Sequence, residues 1–184
     1  MEKTVIRSNR KTISLEIGPN GLIVRAPLRL SDARIEEFLE SRDAWIRAHM
    51  EQFAVRQAAA AAVEKFSAAE LNTLRISAKD QFAQRAAYYA PLVGVTYGRI
   101  SIRTQRSRWG SCSSRGDLSF NCLLMLAPPE VLDSVVVHEL CHRKYMDHSR
   151  RFYAEVLRVL PDYHRRNQWL KENGRLLMAR LPDA

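Results

Sequence analysis

A largely apolar run, Leu132-Asp133-Ser134-Val135-Val136-Val137, leads directly into His138-Glu139-Leu140-Cys141-His142 and, after five more residues, His148. β-Branched residues are poor solvent-facing helix formers, so a helix running from Pro129 to about Lys144 has to be buried. Positions 138 and 142 stand four apart and lie one above the other on one face of that helix. The fold must therefore build a core around a helix that also carries two imidazoles and a carboxylate.

Two stacked imidazoles converge on one point, and zinc accepts tetrahedral nitrogen donors without a d-electron preference of its own. They supply half a site, and His148 is the obvious third donor. Asp147 and Ser149 are both helix N-cap types, which places the end of one helix near Tyr145 and the start of another just beyond. A turn there swings His148 back towards the metal. Glu139 neighbours the first ligand without being one, where it can take a proton from a water on the metal. This is the H-E-x-x-H arrangement of zinc peptidases. Three of the five histidines of the chain fall within these eleven residues.

At 184 residues and 46% hydrophobic content the chain has the size of one domain, with room for a small appended subdomain. No run approaches the roughly 18 apolar residues of a membrane span, and MEKTVIRSNRK lacks the apolar centre of a signal peptide. Three cysteines without C-x-x-C spacing argue against a disulfide framework. The expected location is the cytoplasm. A net charge of +9 with a pI near 9.9 attracts polyanions. No recognised nucleic-acid module surrounds the scattered arginines, so the expected contact with nucleic acid or nucleotides is weak and salt-sensitive.

Along the chain, residues 3–8, 11–17 and 22–26 read as strands of an antiparallel meander, with Gly18-Pro19-Asn20-Gly21 as a turn. A helical pattern from Ser31 to Phe53 breaks at Ser41-Arg42-Asp43, and His49 falls on its apolar stripe as a core residue. Residues 58–62 carry almost no large apolar side chains, which places a boundary between an N-terminal part, 1–62, and a core, 63–184. A long amphipathic helix over 68–90 ends at Pro91 and Gly94. A strand follows over 97–105, then a loop over 106–116 that contains Trp109. The strand over 117–124 points Leu118, Phe120, Cys122 and Leu124 one way and Asp117, Ser119 and Asn121 the other. That polar face is expected to line a cleft, with Ser119 and Asn121 as substrate-binding candidates. Helices over 149–160 and 163–173, separated by Pro161, close the chain.

The set Arg108-Trp109-Gly110-Ser111-Cys112-Ser113, Leu126-Ala127-Pro128-Pro129-Glu130-Val131-Leu132, the HELCH helix, His148-Ser149 and Pro161-Asp162-Tyr163 resembles the YgjP-like zinc metallopeptidases, relatives of the WLM and SprT-like proteases. The likeness is dense from about residue 97 to 172. It implies an α+β fold, a gluzincin-like zincin core of helices on a small, mainly antiparallel sheet. It also implies that His138, His142 and His148 bind Zn2+, that Glu139 is the general base, and that a neighbouring strand holds the substrate backbone. Members are bacterial cytoplasmic proteins commonly called metal-dependent hydrolases, to which nucleotide pyrophosphate hydrolysis has been attached as well as proteolysis.

Three functions compete: a zinc peptidase acting on peptides or unfolded protein, a zinc-dependent hydrolase of nucleoside triphosphates, and a non-catalytic zinc-stapled module that binds nucleic acid. A structural zinc normally has four protein ligands, whereas three histidines leave the open position that catalysis requires. A cleft strand suits an extended backbone, and the chain lacks a Gly-rich phosphate cradle of the P-loop kind. The peptidase is therefore the expected function. Cys141, off the His138 face, is expected to pack; Cys112 either packs or contacts the zinc.

Overall fold

The computed structural model describes residues 3–18 and 20–182. Its chain divides into two compact units, Met1–Ala62 and Val63–Ala184, each with its own hydrophobic core.

The first unit holds β1 (Lys3–Ser8), β2 (Ser14–Gly18), β3 (Gly21–Pro27), α1 (Asp32–Glu40) and α2 (Asp43–Ala61). Its sheet is not the expected meander. The order is β1-β3-β2, with β1 parallel and β2 antiparallel to β3. The tight turn fixes only the β2–β3 pairing, and Pro19 within it lies outside the described residues. Alternate residues Leu22, Val24 and Ala26 of β3 are buried, and a strand that buries this much side chain is best flanked on both edges. Ile35, Leu39 and Ile46 of the two helices belong to the same core. His49 stays out of it: its ring stacks on Trp45 at 3.9 Å and its Nδ1 pairs with the Trp45 carbonyl at 2.8 Å.

In the second unit, α3 (Ala68–Val93) starts with a capping box between Ser67 and Glu70. It passes through Pro91 and ends only at Gly94, whose φ of 76° supplies the left-handed cap. β4 (Ile100–Arg103), β5 (Gly110–Cys112) and β6 (Leu118–Asn121) form a sheet of order β4-β6-β5, with β4 parallel and β5 antiparallel to β6. Both sheets thus mix directions, which corrects the mainly antiparallel expectation; the class is α+β. Two boundaries also differ. The expected loop over 106–116 contains β5, and the strand expected to reach 124 stops at Asn121, whose side-chain oxygen accepts from the Leu123 amide and starts the 3-10 turn Cys122–Leu126.

Next comes α4 (Pro129–Cys141), buried along almost its whole length, with Val131, Leu132, Val136, Val137 and Leu140 all in the core. Phe82 of α3 stacks on Phe120 of β6 at 4.5 Å. Asp133 of α4 is also buried, and it accepts two hydrogen bonds of 2.6 Å from Arg85 and one of 3.0 Å from the Tyr89 hydroxyl. Removing Asp133 leaves the guanidinium without its counter-charge against the core. Asp133→Ala is therefore expected to cost about 3 kcal/mol, the lower end of the range for breaking a buried pair because Arg85 is partly open; chemical denaturation reads this directly. The chain closes with α5 (Arg150–Val159) and α6 (Tyr163–Ala179). Among the described residues no helix is long and apolar enough to cross a membrane.

Candidate metal centre

His138 sits in the last turn of α4, and His142 is that helix's C-terminal cap. His148 lies in the connection to α5, whose first turn is held by the Ser149 side chain accepting from the Phe152 amide. The three imidazoles come together: one ring nitrogen of each lies within 4.8 Å of the others, and His138 Nε2 and His148 Nε2 are 3.1 Å apart. A tetrahedral ion with nitrogens at 2.0–2.1 Å sets a nitrogen separation of about 3.3 Å. The donor set therefore fits a zinc-sized cation.

Two of the outer nitrogens are engaged. His142 Nδ1 meets the Tyr145 carbonyl at 2.9 Å; a carbonyl only accepts, so that nitrogen carries the proton and Nε2 keeps its lone pair. His138 Nδ1 pairs with the Tyr163 hydroxyl at 2.9 Å, the orienting contact usual behind a metal-bound imidazole. Beneath the cluster lies Phe152, fully buried, with its ring centroid 4.8, 4.6 and 5.0 Å from those of His138, His142 and His148. Burial, then the neighbouring imidazoles, push His138 down to about 3. Burial lowers His142 as well. Both rings are held neutral, the state that binds metal.

Glu139 is 5% exposed, and burial raises its carboxyl to about 8 in the metal-free protein. Gly110 of β5 presses on it, since a Cβ built there would stand 2.5 Å from Glu139 Oε1 and 2.9 Å from its carboxyl carbon. No side chain fits between strand and carboxylate. Gly110→Ala should thus displace Glu139 while leaving the metal content unchanged, and a shift of about 1 Å at such a group lowers turnover about 10²-fold. Metal analysis beside an activity assay checks both halves.

Ser119 and Asn121 do not join this site. They lie on β6, the central strand of its sheet: Ser119 faces Ser101 and Ser111 on the flanking strands, and the buried Asn121 amide donates to the Gln105 and Arg108 carbonyls at 2.7 and 3.0 Å. The strand beside Glu139 is β5, an edge of the sheet. Glu155, a conceivable alternative ligand, is occupied by Lys144 and Arg158 at 2.8 and 2.7 Å. Cys141 is buried and its thiol is pushed up to about 12 by that burial, so it packs. Cys112 is half-buried, donates to the Ser113 carbonyl at 3.5 Å, and has its thiol raised by burial and by Glu139.

Sequence reasoning missed Gly110 and the part played by Tyr163. The first stands in view within R-W-G-S-C, but its reason is a close approach to a residue 29 positions further along the chain. Tyr163 is visible there only as one of several tyrosines near the motif. A cleft of about 260 Å3 opens beside the cluster, with Trp109, Gly110, Val135, His138, Glu139 and Leu170 in its walls.

Comparison with known proteins gives one family and one solved structure of note. A family model described as YgjP-like, metallopeptidase domain, matches residues 11–74 and 61–173. The crystal structure of the metallopeptidase zymogen of Pyrococcus abyssi abylysin is 19% identical, with a TM-score of 0.46, over 51% of this chain and 96% of that one. No curated protein matches the sequence. With all but the two ends of the chain inside that family's pattern, this protein belongs to the YgjP-like metallopeptidases.

Proposed function

We propose that this metallopeptidase is a zinc enzyme in which His138, His142 and His148 hold the ion, Glu139 is the general base, and the unpaired edge of β5 aligns the substrate. The observation that carries the reading is that His138, one of the three clustered imidazoles, and Glu139 line the same cleft. A donor set made only of imidazoles suits zinc, and zinc bound there would acidify a coordinated water and polarise a substrate carbonyl.

The protein's own groups do the rest. The Tyr145 carbonyl holds His142 in the ligating tautomer, and the Tyr163 hydroxyl orients His138. Phe152 keeps water away from the underside of the cluster. Glu139, one residue after a ligand and free of side-chain partners among the described residues, takes the proton from the attacking water at its carboxylate oxygen and returns it to the leaving amine. Backbone N–H and C=O groups on the open edge of β5 pair with an extended peptide as an added strand.

Peptide is favoured over nucleotide by size. The cleft, at about 260 Å3, is below the roughly 300–1,000 Å3 of small-molecule pockets and suits one residue of a longer chain. The test is to offer the zinc-loaded protein unfolded protein and nucleoside triphosphates side by side, counting only turnover that Glu139→Gln removes. Glu139-dependent turnover of nucleotides alone overturns the peptidase reading.

A further inference from the structure

The walls of the cleft beside Glu139 are of two kinds. Trp109, Val135 and Leu170 give it apolar sides, whereas Ser107, Arg108 and Asn167, whose side chains can hydrogen-bond, also line it. Among the described residues none of these three side chains has a hydrogen-bond or ion-pair partner. Three nearby polar residues are engaged: Ser134 donates to the Val131 carbonyl at 2.7 Å, Tyr163 meets His138, and Arg166, beside Asn167 on α6, binds Asp162 at 2.8 Å and the Glu130 carbonyl at 3.0 Å. Glu139 is the one acid in the lining, and its role is the proton transfer. Arg108 is therefore a cation without a counter-charge in the lining of a partly apolar cleft. Its backbone is fixed there, because the Arg108 carbonyl accepts from the buried Asn121 amide at 3.0 Å.

We infer that this cleft selects a substrate residue bearing a carboxylate, with Arg108 and Asn167 as its anchors. An aliphatic stem lies along Trp109, Val135 and Leu170 while the carboxylate takes N–H donors from the guanidinium and the amide. Two sources carry that chemistry: the side chain of an internal glutamate, and the C-terminal carboxylate of a peptide whose last side chain fills the pocket. The inference rests on the peptidase reading for the placement of a peptide in the cleft, but binding tests it independently of turnover.

The experiment uses the zinc-loaded Glu139→Gln protein and short peptides that differ at one position, glutamate, glutamine or leucine, each with a free and an amidated C-terminus, titrated by calorimetry. The expected result is a preference of about 5- to 10-fold for the carboxylate over its neutral isostere, as for a charge-assisted hydrogen bond at a half-open site. Adding Arg108→Ala should reduce that preference to less than about 2-fold without changing zinc content, since Arg108 is exposed and is not among the hydrogen-bond partners of the imidazoles. Asn167→Ala should weaken the glutamate and glutamine peptides alike. Sensitivity to the side chain identifies an internal acidic residue as the ligand; sensitivity to amidation identifies the chain terminus. Equal affinities across the panel, a preference that survives Arg108→Ala, or no binding of any peptide overturns the assignment. Selective binding by the variant with no peptide turnover by the unmutated protein sinks only the peptidase reading.

Discussion

Glu139→Gln is expected to keep the zinc and the fold and to lower peptide hydrolysis by about 10²- to 10⁴-fold, the range for loss of a positioned proton acceptor. Glutamine has the same shape, which matters because Gly110 leaves no slack around this side chain, but it cannot take the proton. A second consequence separates this residue from a merely well-packed one. In the metal-free protein the folded carboxyl sits near 8, raised from 4.5 by burial. An acid whose folded value is raised favours folding while protonated, so stability is lost as pH climbs from about 4.5 to about 8. The metal-free variant, having no charge to bury, escapes that loss. Its advantage in thermal melts should be near zero at pH 4 and grow to several kcal/mol above pH 8, each tenfold change in proton affinity being worth about 1.4 kcal/mol. Parallel melts of the two metal-free proteins over this range would show that the carboxylate is not desolvated as described.

His148→Ala should remove most of the zinc, because two imidazoles lack the third protein donor usual for this ion. The loss in affinity should exceed about 10²-fold, whereas Tyr163→Phe, which strips only the hydroxyl behind His138, should cost about 10-fold, as for an orienting partner. Chelator competition ranks the two. Equal losses would mean that Tyr163 matters to the fold more than to the ligand. Acid acts on the same centre with the opposite sign to Glu139. Burial depresses His138 from 6.5 to about 3, so the stability gained by keeping it neutral is present above 6.5 and disappears as pH falls towards 3. The metal-free site is thus destabilised from both sides, by acid at His138 and by base at Glu139.

Much of the centre can be read along the chain because its spacing is local. A four-residue step puts His138 and His142 on one helical face, and the valines before them demand burial. Ser149 as an N-cap turns the chain so that His148 returns. Each of these follows from hydrogen bonds closed within a few residues. The misses share the opposite cause. A three-residue strand such as β5 is too short to show a period, so the edge beside Glu139 reads as loop, and the alternation of the strand behind it draws the cleft wrongly to Ser119 and Asn121. The insertion of β3 between β1 and β2 depends on which segment buries most side chain, not on the turn that joins two of them. Arg85 on the apolar stripe of α3 makes sense only once Asp133, 48 residues later, meets it. Gly110 against Glu139 and Gly174 against the Trp109 ring, where a Cβ would stand 2.7 Å from the indole, are likewise contacts between segments. Chain periodicity carries the conformation of each element, but which elements touch is settled by packing across long separations, and there the reasons for these glycines and for the cleft are found.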